Sequence, residues 1–165
     1  MLKLATTDDV ESICIDDPVR PDIPYNWRVE LPNKFTYYLI SRHIYEPPVS
    51  EVNKKAFTCK LRTEVDAVCC VALLDEIPTT EMELMNSKEG ENAIFYTVWS
   101  KNTPRKGRGR DVLNKTMEEI SKMPVTRYVT LSPKTEMART FHLRNGATLL
   151  KENEFTYNFE YTYDR

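Results

Sequence analysis

The chain has 165 residues and a mass of 19.3 kDa, room for one domain with a real core and too little for two ordinary ones. Its 41% hydrophobic and 29% charged residues sit in the globular range, and no apolar run is long enough to cross a bilayer, so no membrane partner is expected. A net charge of −2 gives no field for a nucleic-acid track, and Cys14, Cys59, Cys69 and Cys70 lack metal-ligand spacing, so neither nucleic acid nor a metal is expected.

Met1 to Ala5 reads as a short strand, and Thr6-Thr7-Asp8-Asp9 offers caps for a helix from Asp9 to about Ile15. That opening carries acids early and no apolar stretch, so it does not read as a signal peptide, and a cytoplasmic address is expected. Prolines 18, 21, 24, 32, 47 and 48 predict short elements and irregular loops through the first third, where Phe35 to Tyr45 fits either a helix or a strand. From Ala56 the texture turns strand-like. Ala56 to Thr63 alternates in part, and Ala67 to Leu74 is a continuous apolar run of the kind buried on both faces, with at least one of Cys69 and Cys70 an ordinary buried thiol. Asp75 to Glu91 holds six acids against one lysine, and Glu81, Glu83, Glu89 and Glu91 read as a solvated loop or as an attraction for a cationic amine. Ala93 to Ser100, AIFYTVWS, is the clearest strand in the chain.

The next stretch, TPRKGRGRDVLNKTMEEI from Thr103 to Ile120, puts two of four glycines among basic residues and runs into a helix expected from about Gly109 to Met123, stopped by Pro124. A helix N-terminus exposes unpaired N–H groups, and glycines let the backbone approach a phosphate, so Arg105-Lys106-Gly107-Arg108-Gly109-Arg110 is either an anion cradle or a basic exposed turn. It is neither a P-loop nor a complete dinucleotide fingerprint. Arg127 to Leu131 reads as a strand, Ser132-Pro133 as a turn, Thr135 to Arg144 as a helix with Asn145-Gly146 as its left-handed stop. Thr148 to Lys151 and Phe155 to Tyr163 close the chain as two strands. The aromatics 155, 157, 159, 161 and 163 share one parity, hence one face: sheet packing, with pairing across a homodimer as a further possibility.

The strand, the basic glycine turn, the helix, a strand ending in TLSP and a helix reading A-R-x-F-x-x-x-x-G follow an order that resembles the acetyl-CoA-binding half of the GNAT superfamily of N-acyltransferases, and MLKLATTDDVESI resembles its opening. The usual Arg or Gln three residues before the first glycine is replaced by Pro104. The resemblance implies a mixed α/β (α+β) fold with a mostly antiparallel central sheet flanked by helices, in one domain over 1–165. Residues 1–65 would form the acceptor side and 66–165 the acyl-CoA core. It implies acetyl-CoA or another acyl-CoA as cofactor and a small-molecule or peptide amine as acceptor. Arg105 to Arg110 would hold the pyrophosphate, with Ser132 and Arg139 also on the cofactor, while Thr97, Val98 and Trp99 lie along the pantetheine. His142 stands where the family has a tyrosine that protonates the leaving thiolate; on its own it reads equally as a buried helix histidine with a satisfied hydrogen bond. FHLRNGA, TLSP and FYTVWS are also similar to stretches of the catalytic domain of malonyl-CoA decarboxylases. That likeness implies a catalytic His142 assisted by Thr97 or Ser100, and a decarboxylase as the alternative activity. A module that keeps the fold only to bind CoA or a partner is the third reading.

Overall fold

The computed structural model describes residues 2–4, 33–46, 60–100 and 107–163, with side chains over 4, 33–39, 65–100 and 107–163. The helix expected over Asp9 to Ile15, the proline-rich segments, Cys14, Cys59, Arg105 and Lys106 lie outside the described residues. In chain order the elements are β1 Leu2–Leu4, β2 Lys34–Glu46, β3 Lys60–Leu74, α1 Glu81–Asn86, β4 Asn92–Ser100, α2 Arg108–Ile120, β5 Arg127–Thr130, β6 Ser132–Pro133, α3 Glu136–Arg144, β7 Thr148–Glu152 and β8 Thr156–Tyr161.

All eight strands form one sheet in the order β1-β2-β3-β4-β5-β8-β6, with β7 on β8. Only β4 and β5 run parallel; every other pair is antiparallel. The ambiguous 35–45 stretch is strand β2, since its alternate residues meet β3 along its whole length. Val68, Cys70, Ala72 and Leu74 bury one face of β3 beside Leu84, and Ala67, Cys69, Val71 and Leu73 bury the other beneath α2. That two-sided burial is what the continuous apolar run requires. Both Cys69 and Cys70 are buried and not joined in a disulfide, and burial pushes Cys69 well above the ordinary thiol range.

The α2 stripe of Val112, Leu113, Thr116, Met117 and Ile120 is buried, as its three- and four-residue spacing demands. Four expectations need correction. The strand called for over Ala67 to Leu74 begins at Lys60, so the two strand-like stretches are one element. The acidic segment contains helix α1, because Thr80 accepts the Glu83 N–H while the Glu83 carboxylate accepts the Thr79 N–H at 2.6 Å. Ser132-Pro133 is a two-residue strand paired with Tyr157 and Thr156 rather than a turn, and Thr135 is the cap of α3. The helix expected to reach Met123 ends at Ile120, before Pro124 can act. The left-handed stop after α3 is present at Gly146, with φ of 96°.

Tyr157, Phe159, Tyr161 and Tyr163 pack on the α2 side of the sheet, as their shared parity implied, whereas Phe155 sits before β8 and is 75% exposed. β8 is hydrogen-bonded on both sides, to β5 and β6 and to β7, which leaves it no free edge for a second copy. No described helix is long and apolar enough to cross a membrane.

Candidate functional site

β4 and β5 are paired from Asn92 and Arg127 to Phe95 and Thr130, and the Leu131 N–H still reaches the Phe95 carbonyl at 3.0 Å. Beyond that point the strands part. β6 turns away to pair with β8, while β4 continues to Ser100 along β3. A bulge falls at the same place: Cys70 faces Thr97 and Val71 faces Phe95, which leaves Tyr96 as the extra residue. The parting strands open a cleft of about 290 Å³. Thr97, Val98, Trp99 and Ser100 line one wall, Ser132 and Pro133 the other, and Gly109, Phe141 and His142 close it from the helices.

At the head of α2 the two motif glycines do different work. Gly107 is the N-cap residue, with φ of 87° and no described atom within 4 Å of where a Cβ would lie, so it is needed for its left-handed backbone. Gly109 is needed for closeness: a Cβ there would lie 3.3 Å from Phe141 Cε2 and 3.6 Å from Ser100 Oγ. The first N–H groups of α2 have no partner within the helix, so this end presents backbone donors beside the cleft.

The basic side chains are less available than the sequence suggests. Arg108 Nε lies 3.4 Å from Asp66 Oδ2, and its guanidinium is 3.8 Å from Asp111. A bulge in β3, where Ala67 faces Leu39 and Val65 faces Ile40, leaves Asp66 as the extra residue, 4% exposed. Asp66 Oδ2 makes no hydrogen bond among the described residues, so the contact with Arg108 is an ion pair without hydrogen-bond geometry. Arg110 and Arg139 are exposed and do not line the cleft. Nothing in the sequence marked Asp66, since the bulge that frees it depends on β2.

His142 is buried at 5% exposure on α3, its ring stacked on Phe159 at 5.3 Å and its Nδ1 2.7 Å from the Tyr161 hydroxyl. Burial lowers its pKa from 6.5 to about 4. Burial therefore disfavours the imidazolium that protonating a leaving thiolate would use and favours the neutral ring. Burial likewise raises Tyr161 above the usual phenol range, so both partners are neutral. Thr97 is 3% exposed and its Oγ1 has no hydrogen-bond partner among the described residues. Ser100, the other hydroxyl candidate, is exposed at the cleft's far end near Gly109. Tyr161 was not expected as a site residue, because strand parity gives a face but not a partner on another element. The described cleft lining contains no carboxylate, and Glu81, Glu83, Glu89 and Glu91, read as an attraction for a cationic amine or a solvated loop, do not line it. No described group of three His, Cys, Asp or Glu residues is placed to hold a metal ion.

No protein-family model matches the sequence, and the search of curated proteins finds no match. Solved structures do match. Arabidopsis thaliana NAA60 in complex with acetyl-CoA shares 14% identity over 98% of this chain and 97% of its own, with a TM-score of 0.58. The PaiA N-acetyltransferase of Thermoplasma acidophilum in complex with coenzyme A shares 7% over 99% of both chains, with a TM-score of 0.60. Malonyl-CoA decarboxylase of Agrobacterium vitis shares 14% over 85% of this chain but 35% of its own, with a TM-score of 0.55. The fold is that of the GNAT acetyltransferases, a fold the decarboxylase also contains.

Proposed function

We propose that the cleft binds an acyl-CoA and that the protein is an acyl-CoA-dependent N-acyltransferase, with acetyl as the expected acyl group. The observation that carries this reading is the parting of β4 from β5 at the Tyr96 bulge, directly beside the unpaired N–H groups of α2. The same fold holds acetyl-CoA in NAA60 and coenzyme A in PaiA, and NAA60 has also been solved with a bisubstrate analogue.

In this reading the pyrophosphate lies against the backbone of Gly107 to Arg110, where the helix dipole and unpaired donors favour an anion. Arg105 and Lys106 supply charge from the preceding segment. The pantetheine runs along the freed edge of β4, whose backbone from Thr97 to Ser100 lacks a parallel partner. An amine arriving as the free base attacks the thioester carbon: the C–N bond forms, the C–S bond breaks, and the proton shed by the amine ends on the departing thiolate. Charge develops on the thioester oxygen during that step, and neutral donors in a water-poor cleft stabilise it more than water would.

One observation favours the decarboxylase as a second reading. The described lining is mostly apolar, holds no Lys or Arg, and includes neutral His142 and Thr97, whose hydroxyl has no partner among the described residues. Such a cleft leaves a carboxylate poorly solvated and stabilises the enolate its loss produces. Calorimetric titration with CoA, acetyl-CoA and malonyl-CoA, followed by mass spectrometry of each mixture with and without an amine, separates the two. Acyl loss that depends on the amine supports transfer, carbon dioxide loss without it supports decarboxylation, and no heat from any of the three ligands overturns both.

A further inference from the structure

We propose that Tyr161 fixes the tautomer of His142: the phenol O–H donates to Nδ1, so the imidazole presents Nε2–H to the cleft as a neutral donor for the thioester oxygen. The identity of that ligand rests on the acyl-CoA reading above, whereas the tautomer does not.

The argument is one of satisfying buried groups. Tyr161 is 7% exposed and His142 is the only hydrogen-bond partner of its hydroxyl among the described residues. If Nδ1–H donated instead, the phenol hydrogen would be left with no acceptor among the described residues, at a cost of about 1–3 kcal/mol. With the phenol donating, both groups are satisfied and only Nε2–H is left over, on a residue that lines the cleft. Stacking on Phe159, two residues before Tyr161 on the same face of β8, fixes the ring plane, and the hydrogen bond then fixes which nitrogen carries the proton. A low pKa keeps that arrangement through the neutral range.

Thr97, whose Oγ1 has no hydrogen-bond partner among the described residues, lies on the wall of the same cleft. A neutral donor suits an oxygen that is charged only while bonds change. Tyr161 is therefore a positioning residue that acts through His142.

The test begins with the unmodified protein, labelled with 15N and examined by long-range 1H–15N correlation of its histidine rings. There are two histidines, His43 and His142, so His43→Gln assigns the spectrum. The expected pattern at neutral pH is a bare Nδ1 and a protonated Nε2 for His142; a protonated Nδ1 overturns the proposal. In Tyr161→Phe, of nearly the same shape, both tautomers should appear, and retention of a single Nε2–H form would show that something else sets it.

Acetyl-CoA should then shift the His142 Nε2 signal. Binding by calorimetry without that shift overturns the donor role, while absence of binding overturns the acyl-CoA reading and leaves the tautomer result standing. In turnover, His142→Gln keeps a neutral N–H donor and should stay within about tenfold of the parent, whereas His142→Phe should lose about a hundredfold. Equal losses in the two variants would mean that the proton, not the donor, is what the reaction uses.

Discussion

The two ends of the cleft solve different electrostatic problems. At the head of α2 the donors are backbone N–H groups at the surface, with Gly107, Arg108 and Arg110 all at least partly exposed. At the other end the polar groups are side chains sealed from water, with His142, Tyr161 and Thr97 each below one-tenth exposure. On the acyl-CoA reading, a pyrophosphate would be charged before, during and after the reaction and would suit partial positive charge that solvent can reach. A thioester oxygen would be charged only in passing and would suit neutral donors held in a dry place.

Acid should break the buried end first. His142 has its pKa lowered to about 4 in the folded protein against 6.5 unfolded. The unfolded chain takes up that proton first as pH falls, so the stability tied to a neutral His142 is complete above about 6.5. It is lost progressively down to about 4, by about 3 kcal/mol in all. Denaturant titrations between pH 7 and pH 5 should show the slope in the parent and a shallower one in His142→Gln. Glu83 and Glu160, whose pKa values are lowered by their hydrogen bonds to Thr79 and Arg127, add their losses only at more acid pH. An unchanged slope in the variant would mean that the imidazole is not held neutral.

The surface end should break by filling. Gly109→Glu places a carboxylate where a Cβ already meets Phe141 at 3.3 Å, and should weaken CoA binding by about a hundredfold in calorimetry. Gly107→Ala meets no neighbour among the described residues, and its expected cost is that of the left-handed backbone, about 1 kcal/mol of stability read by thermal unfolding. If the two substitutions weakened CoA binding equally, closeness and backbone conformation would not be separable at this turn.

Much of the surface end was legible in the sequence because its signals are local. A glycine pair, a basic run and a three-four apolar stripe all lie within 18 residues, Thr103 to Ile120. The buried end was half legible: His142 stood out by its scarcity and setting, but its partner is 19 residues away and was hidden in a run of aromatics that parity alone assigns to packing. Helix α1 had a readable sign in Thr80-x-x-Glu83, which the acidic composition of the segment masked. Ser132-Pro133 looked like a turn because proline usually interrupts strands; here it pairs at the end of the sheet, where the ladder needs few of its donors. Asp66 had no sign at all.

Asp66 gives the smallest effect and the finest division between the two ends. Its buried carboxylate holds Arg108 at 3.4 Å, beside the donors that would face a pyrophosphate, so part of that arginine's charge is already engaged. Asn has nearly the same shape and cannot hold the guanidinium by charge. Asp66→Asn should therefore tighten CoA binding by a factor of about three, a gain of about 0.7 kcal/mol. The gain should shrink as salt is raised, because the freed charge acts near the surface where ions screen it. Turnover at saturating acyl-CoA should stay the same, since nothing at the His142 end has changed. Weaker binding in Asp66→Asn would reverse the assignment: the carboxylate would then be what aims Arg108 at the phosphate, and the exposed end would rely on a positioned side chain as the buried end does.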